Sequence, residues 1–283
     1  MRRTASKRIL FCITSGFVLV MMFGLLMLLS IASTYTEGAQ AYDVLRHVIV
    51  TPQMEVLPVQ SLPDLSDELE LTPLDIPYEE AAVESPETFT LPDTVTLPEV
   101  DFGVLREVNS NVVAWLILEG TPINYPVVQG ENNYHYLEHL FDGTRNRAGT
   151  LFVDSYNLPG FADHNTIIYG HHMQNGSMFA ALVNYRTQTF FDAHPWAFLI
   201  TPEGNYVIQF FAGYTTDVEA PSWRLEFADE AEFTAWIETS RLRSDFESEV
   251  EVSASDRLVT LSTCSWAFDN ARYVLIGKLV PIG

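Results

Sequence analysis

The sequence predicts a mainly β domain, preceded by one helix that crosses a membrane and by an irregular acidic spacer. Three observations lead there. Residues from Ile9 to about Ser33 are uncharged and apolar, and roughly 20 such residues span a bilayer as a helix. From about Thr51 to Val100 prolines and carboxylates recur without a single Lys or Arg. Beyond that point, short runs rich in Val, Ile, Tyr and Phe alternate with turn residues, the mark of an antiparallel sheet or barrel rather than a parallel α/β fold.

Arg2, Arg3, Lys7 and Arg8 precede the apolar stretch and favour a cytoplasmic N-terminus with everything after the helix outside. The stretch is longer than the apolar region of a cleaved signal peptide, so a retained signal anchor is expected. The competing reading, a cleaved signal, rests on "IAS" and "GAQA" as cleavage-site mimics. Four of the 15 Lys and Arg precede the helix, leaving 11 against 37 acids outside, a balance of −26. Such a surface repels nucleic acid and acidic headgroups and makes neither a partner.

The spacer "TPQMEVLPVQSLPDLSDELELTPLDIPYEEAAVESPETFTLPD" has scattered Leu and Val that settle into neither helical nor strand periodicity. Proline stiffness and charge repulsion favour an extended stalk that lifts the following domain off the membrane. The expected organisation is therefore a cytoplasmic tail over 1–8, a transmembrane signal anchor over 9–33, an acidic Pro-rich stalk over 34–99 and a folded domain over 100–283. Within that domain "DFGVLREVN" suits a short helix. Strand-like pieces follow: "VVAWLILEG", "INYPVVQG", "AGTLFVDS", "NTIIYGHHM", "WAFLITPEGNYVIQFFAGYTT", "DRLVTLSTCSW" and "ARYVLIGKLV". "TPEGNY" reads as a hairpin turn. "ADEAEFTAWIETSRLRSDF" breaks the β rhythm, with Phe233, Trp236 and Ile237 at helical spacing and Asp229 placed to cap a helix.

The chain has two cysteines. Cys12 lies in the apolar stretch, where it reads as a packing residue, so Cys264 is the one exported thiol and has no disulfide partner. If "RLVTLSTC" and "RYVLIGKLV" are neighbouring strands joined by "SWAFDNA", Cys264 and Arg272 face each other across the open end of a hairpin, with Cα atoms roughly 5 Å apart. A guanidinium there favours a thiolate, or holds the oxygen that turns negative when a thiolate attacks a carbonyl. The plainer alternative pairs Arg272 with Asp269 or another acid. In "NTIIYGHHM" strand alternation sends Tyr169 and His171 to one face and Gly170 and His172 to the other, so only one of the two histidines looks into a given cleft. A histidine near Cys264 can protonate a leaving amine and then deprotonate the next nucleophile. Alternating side chains do not converge on one ion, and no Cys-x-x-Cys or His-Glu-x-x-His spacing occurs; neither a metal nor another cofactor is expected. The remaining histidines, His47, His135, His139, His164 and His194, read as solvated or hydrogen-bonded side chains.

"TLSTC" with an arginine eight residues later, the upstream "YGHHM" and the membrane anchor together resemble a class B sortase, and the likeness runs from about Val100 to the C-terminus. The resemblance implies an eight-stranded antiparallel β-barrel with helical additions on the outer face of a Gram-positive membrane. It implies a catalytic set of Cys264, His171 and Arg272, with His171 preferred to His172 because it directly follows Gly170. It implies transpeptidation: cleavage after the threonine of a C-terminal sorting motif of the Asn-Pro-x-Thr or Ser/Pro-Pro-x-Thr kind, and transfer to an amine of a peptidoglycan precursor or a pilin lysine. By the same analogy Ser262 and Thr263 line the substrate groove. The partners are then surface proteins or pilins that carry the motif. A cysteine endopeptidase with water as acceptor would use the same residues, and a non-catalytic surface protein would use Cys264 and Arg272 as scaffold.

Overall fold

The computed structural model describes residues 2–46, 49–50, 88–92, 95–264 and 270–283. Most of the expected stalk and the "SWAFDN" stretch after Cys264, apart from Asn270, therefore lie outside the described residues. The chain begins with α1 (Arg2–Arg46), then β1 (Ile49–Val50), β2 (Glu99–Val100) and α2 (Phe102–Val108). Next come β3 (Val112–Ile117), β4 (Asn124–Val128), β5 (Leu151–Val153), β6 (Asn165–Tyr169) and α3 (Gln188–Ala193). The remainder is β7 (Trp196–Thr201), β8 (Gly204–Asp217), α4 (Glu230–Leu242), β9 (Leu258–Cys264) and β10 (Ala271–Pro281).

Strands β3 to β10 close into a barrel in the order β10-β8-β7-β3-β4-β5-β6-β9. The sequence suggested uniform antiparallel pairing, but β4–β5 and β6–β9 are parallel. Parallel neighbours need a long return path. The 129–150 segment supplies it for the first pair, and everything from residue 170 to 257 for the second. The second parallel pair is the one that matters for the site, because it sets two distant segments side by side.

The hairpin β9–β10 shows why its apolar residues do not alternate with polar ones. Val259, Leu261, Tyr273 and Leu275 belong to the barrel interior. On the opposite face Leu258, Val274 and Ile276 pack with Phe233, Trp236 and Ile237 of α4. A strand buried on both faces reads as a continuous hydrophobic run. Asp229 caps α4 by accepting from Glu232 N–H at 2.8 Å. The Glu232 carboxylate in turn accepts from Ala228 N–H at 2.6 Å and from Arg224 at 2.6 Å, the two causes, in that order, that hold its pKa below the ordinary value. The Trp236 indole N–H donates to Pro221 O at 2.9 Å and pins the preceding loop to the helix.

The N-terminal part departs from a stalk that begins at residue 34. Helix α1 continues unbroken to Arg46. Its side chains from Phe17 to Leu29 are exposed, whereas Tyr35, Ala41, Tyr42 and Leu45 pack against the barrel core. The Asn146 amide donates to Thr34 O at 3.0 Å, and Arg46 Nε donates to Asn124 O at 3.1 Å. The far end of the expected stalk is also attached. Ile49 pairs with Val100 and Val50 with Glu99, while Phe89 N–H donates to Pro281 O at 2.8 Å and its ring meets Trp196 edge-on. The described flanks of the acidic segment, 34–46, 49–50, 88–92 and 95–100, thus belong to the packing of the barrel domain.

Candidate active site

The register of β9 against β10 puts Cys264 directly opposite Arg272, Thr263 opposite Tyr273 and Ser262 opposite Val274. Alternation then divides the strand. Thr263 shares the interior face with Leu261, and position 264 falls with Ser262 on the outer one. On the other side of β9, β6 runs parallel with Tyr169 level with Ser262. Gly170 N–H extends that ladder by donating to Ser262 O at 3.1 Å, so His171 comes level with Cys264. Neighbouring strands lie about 4.8 Å apart. Positions 171, 264 and 272 therefore form one row across three adjacent strands.

Gly170 is what lets the row form. A Cβ at this position would approach Leu151 to 2.5 Å and the Phe179 ring to 2.7 Å, so any side chain would push the histidine segment off the barrel. His171 follows with its Nε2 at 2.7 Å from the Leu137 carbonyl oxygen. A carbonyl only accepts, so Nε2 carries the hydrogen and Nδ1 is the ring atom left to exchange a proton. The imidazole is half-buried and lines a cleft of about 350 Å³ with Tyr169, Asn133, Leu137 and Arg272. His172 does not line that cleft. Tyr169 donates its hydroxyl to Asp154 Oδ2 at 2.9 Å; burial first, and then the Asp154 charge, push its pKa well up, so it is a neutral wall.

Arg272 is half-buried and donates through Nη1 to Ala271 O at 3.1 Å. Among the described residues no ion pair engages it. Asp269, the acid the sequence offered as its partner, lies outside the described residues, as does the side chain of Cys264. Ser262 and Thr263 both border the cleft, but from different faces of β9. The Ser262 hydroxyl accepts from Trp223 Nε1 at 2.9 Å, which makes it a tie between the strand and the β8–α4 loop. The Thr263 hydroxyl is buried without a hydrogen-bond partner among the described residues.

Sequence reasoning missed Asn133, Leu137 and Trp223. Leu137 acts through its backbone, which no side-chain pattern reveals. Asn133 sits in a loop between strands, where "GENNYHYLEH" shows only generic loop composition. Among the described residues no cluster of His, Cys, Asp or Glu is arranged to hold a metal ion.

A sortase domain model matches residues 116–280. Sortase B of Listeria monocytogenes is 38% identical over 178 residues, which cover 62% of this chain and 72% of that protein. The chain belongs to the class B sortases. The crystal structure of Staphylococcus aureus sortase B superposes with a TM-score of 0.62 at 32% identity, over 64% of this sortase and 87% of that chain. A crystal structure of sortase B complexed with triglycine superposes with a TM-score of 0.61 at 32% identity, over 64% of this sortase and 86% of that chain. As a class B sortase the protein is a cysteine transpeptidase, and its mainly β eight-stranded barrel is that of sortase B.

Proposed function

We propose that this sortase cuts a sorting motif of the Asn-Pro-x-Thr or Ser/Pro-Pro-x-Thr kind after its threonine, and joins the new carboxyl end to a cell-wall or pilin amine. The observation that carries the residue roles is the register row, with Arg272 opposite Cys264 on one side and His171 level with it on the other. Cys264 passes its thiol proton to Nδ1 of His171, and the resulting thiolate adds to the threonine carbonyl carbon. Arg272 donates hydrogen bonds to the oxygen that becomes negative, as its rigid fork suits. The tetrahedral intermediate collapses when His171 gives a proton to the departing amine. A thioester to Cys264 remains, and the C-terminal tail leaves. An incoming amine loses a proton to His171, adds to the thioester carbonyl and expels the Cys264 thiolate, which restores the enzyme. Ser262 and Thr263 form part of the floor on which the motif lies. The triglycine found in complex with a sortase B supports a small primary amine as acceptor.

In this reading residues 9–33 cross the membrane, with Arg2, Arg3, Lys7 and Arg8 in the cytoplasm and the barrel outside. Among the described residues one helix, Gly16–Arg46, is long and apolar enough to do so. Docking contacts begin at Thr34, one residue past the expected membrane span. The barrel then sits against the membrane surface rather than at the tip of a stalk.

The test is a panel of sorting-motif peptides incubated with and without triglycine. The expected products are tail release and a new peptide–triglycine bond, both abolished in Cys264→Ala with the fold retained. Cleavage without ligation would make the protein an endopeptidase, and turnover by Cys264→Ala near the parent rate would remove the thiol from the mechanism.

A further inference from the structure

We infer that Tyr42, on the barrel-docked end of α1, is a positioning residue for His171. The inference rests on the proposed role of His171 and concerns what holds that ring in place. Tyr42 is 3% exposed, although it lies in a helix whose apolar stretch is bare. Its hydroxyl donates to Gly149 O at 2.5 Å and touches the Thr150 hydroxyl at 3.1 Å. Gly149 has φ of +60°, and a Cβ there would collide with the Tyr136 carbonyl oxygen and come within 2.9 Å of that of Leu137. Thr150 N–H donates to Tyr136 O at 2.9 Å. The 149–150 backbone therefore lies flat on the 136–137 turn, and the Leu137 carbonyl oxygen is the acceptor of His171 Nε2–H.

A second route leads from Tyr42 to the same residue. Its ring packs edge-on against Tyr125 at 5.0 Å. The Tyr125 hydroxyl accepts from Met178 N–H at 3.2 Å, and the next residue, Phe179, donates its N–H to His171 O at 2.9 Å. One side chain of α1 thus braces both the imidazole, through Leu137, and the backbone that carries it, through Met178 and Phe179. What the brace controls is which ring nitrogen holds the hydrogen. If the Leu137 carbonyl shifts away, Nε2–H loses its acceptor, and the Nδ1–H tautomer, which has no lone pair facing the thiol row, becomes accessible. The loss appears in the proton-transfer step and not in peptide binding.

The experiment uses the full chain in detergent, with Tyr42→Phe to remove the hydroxyl and keep the ring. Side-chain nitrogen NMR of His171, assigned by its absence in His171→Ala, should report mainly the Nε2–H tautomer in the parent and a mixture in Tyr42→Phe. With a sorting-motif peptide, kcat should fall about 3- to 10-fold while KM stays within about 2-fold, the pattern of a misplaced catalytic group rather than a damaged binding site. Tyr42→Leu, which also removes the contact with Tyr125, should lose more of kcat. An unchanged tautomer and kcat in Tyr42→Phe, with only a lower Tm, would overturn the proposal and leave Tyr42 a packing residue. Full turnover by His171→Ala would instead refute the catalytic assignment of His171, and the tautomer measurement would still decide whether Tyr42 holds the ring.

Discussion

On one side of His171 lie β9 and β10, whose facing residues Cys264 and Arg272 are eight positions apart in the chain. On the other side lies the 136–150 segment, braced by Tyr42 of α1 at a sequence separation of 107 residues. The first wall is made by a hairpin, and its geometry follows from local pairing. The second joins pieces of chain remote in sequence and depends on a helix docking against the barrel. Both walls bear on one imidazole. The facing of Cys264 and Arg272 is therefore set locally, whereas the orientation of the His171 ring is set by long-range packing.

The sharpest way to break the comparison is at the histidine pair. His171→Ala should lower kcat by about 10²–10⁴-fold, the usual contribution of a positioned general acid–base. His172→Ala should stay within about 10-fold of the parent, because His172 does not line the cleft. Steady-state cleavage of one peptide by both folded variants checks this, and equal losses would mean that the row across β6, β9 and β10 has been misread.

Arg272→Lys tests the hairpin wall next. The variant keeps the charge but loses the fork, so kcat should fall about 10²–10³-fold with little change in Tm if Arg272 holds the oxyanion. If it only balances surface acids, the effect stays near that of an exposed ion pair, about 0–1 kcal/mol. Kinetics and thermal melting of the same preparation separate the two.

The smallest expected effect probes the docked helix. Soluble chains beginning at residue 34 and at residue 47 differ by the segment that carries Tyr35, Tyr42 and Leu45. Burial of a large apolar side chain contributes about 1.5–3 kcal/mol, and in a domain of this size each kcal/mol shifts Tm by about 2–4 °C. Counting only Tyr42, the one of the three that is fully buried, the shorter chain should melt at least about 3–12 °C lower. Identical melting curves would show that the docked segment contributes nothing, and would return 34–46 to the role of a spacer.

The barrel strands, the capped helix α4 and the pairing of Cys264 with Arg272 were legible in the sequence, because each depends on period, turn residues or a hairpin register within a short window. Pleating sends neighbours to opposite faces, so the sequence also showed that only one of His171 and His172 looks into a given cleft; the preference for His171 came from the family resemblance, through Gly170. The parallel placement of β6 beside β9 was not legible: it joins segments separated by the whole of β7, β8 and α4, and nothing in "NTIIYGHHM" names its neighbour. The span 34–46 was read with the acidic stalk because Tyr35, Tyr42 and Leu45 look like scattered apolar residues until the barrel offers Tyr125 and the 148–150 backbone as their partners. The sequence by itself thus determined which residues could carry the chemistry, through local spacing and side-chain type. Only the tertiary structure decided which carbonyl meets His171 and what steadies it, because backbone acceptors carry no sequence signature and helix docking is a property of two surfaces at once.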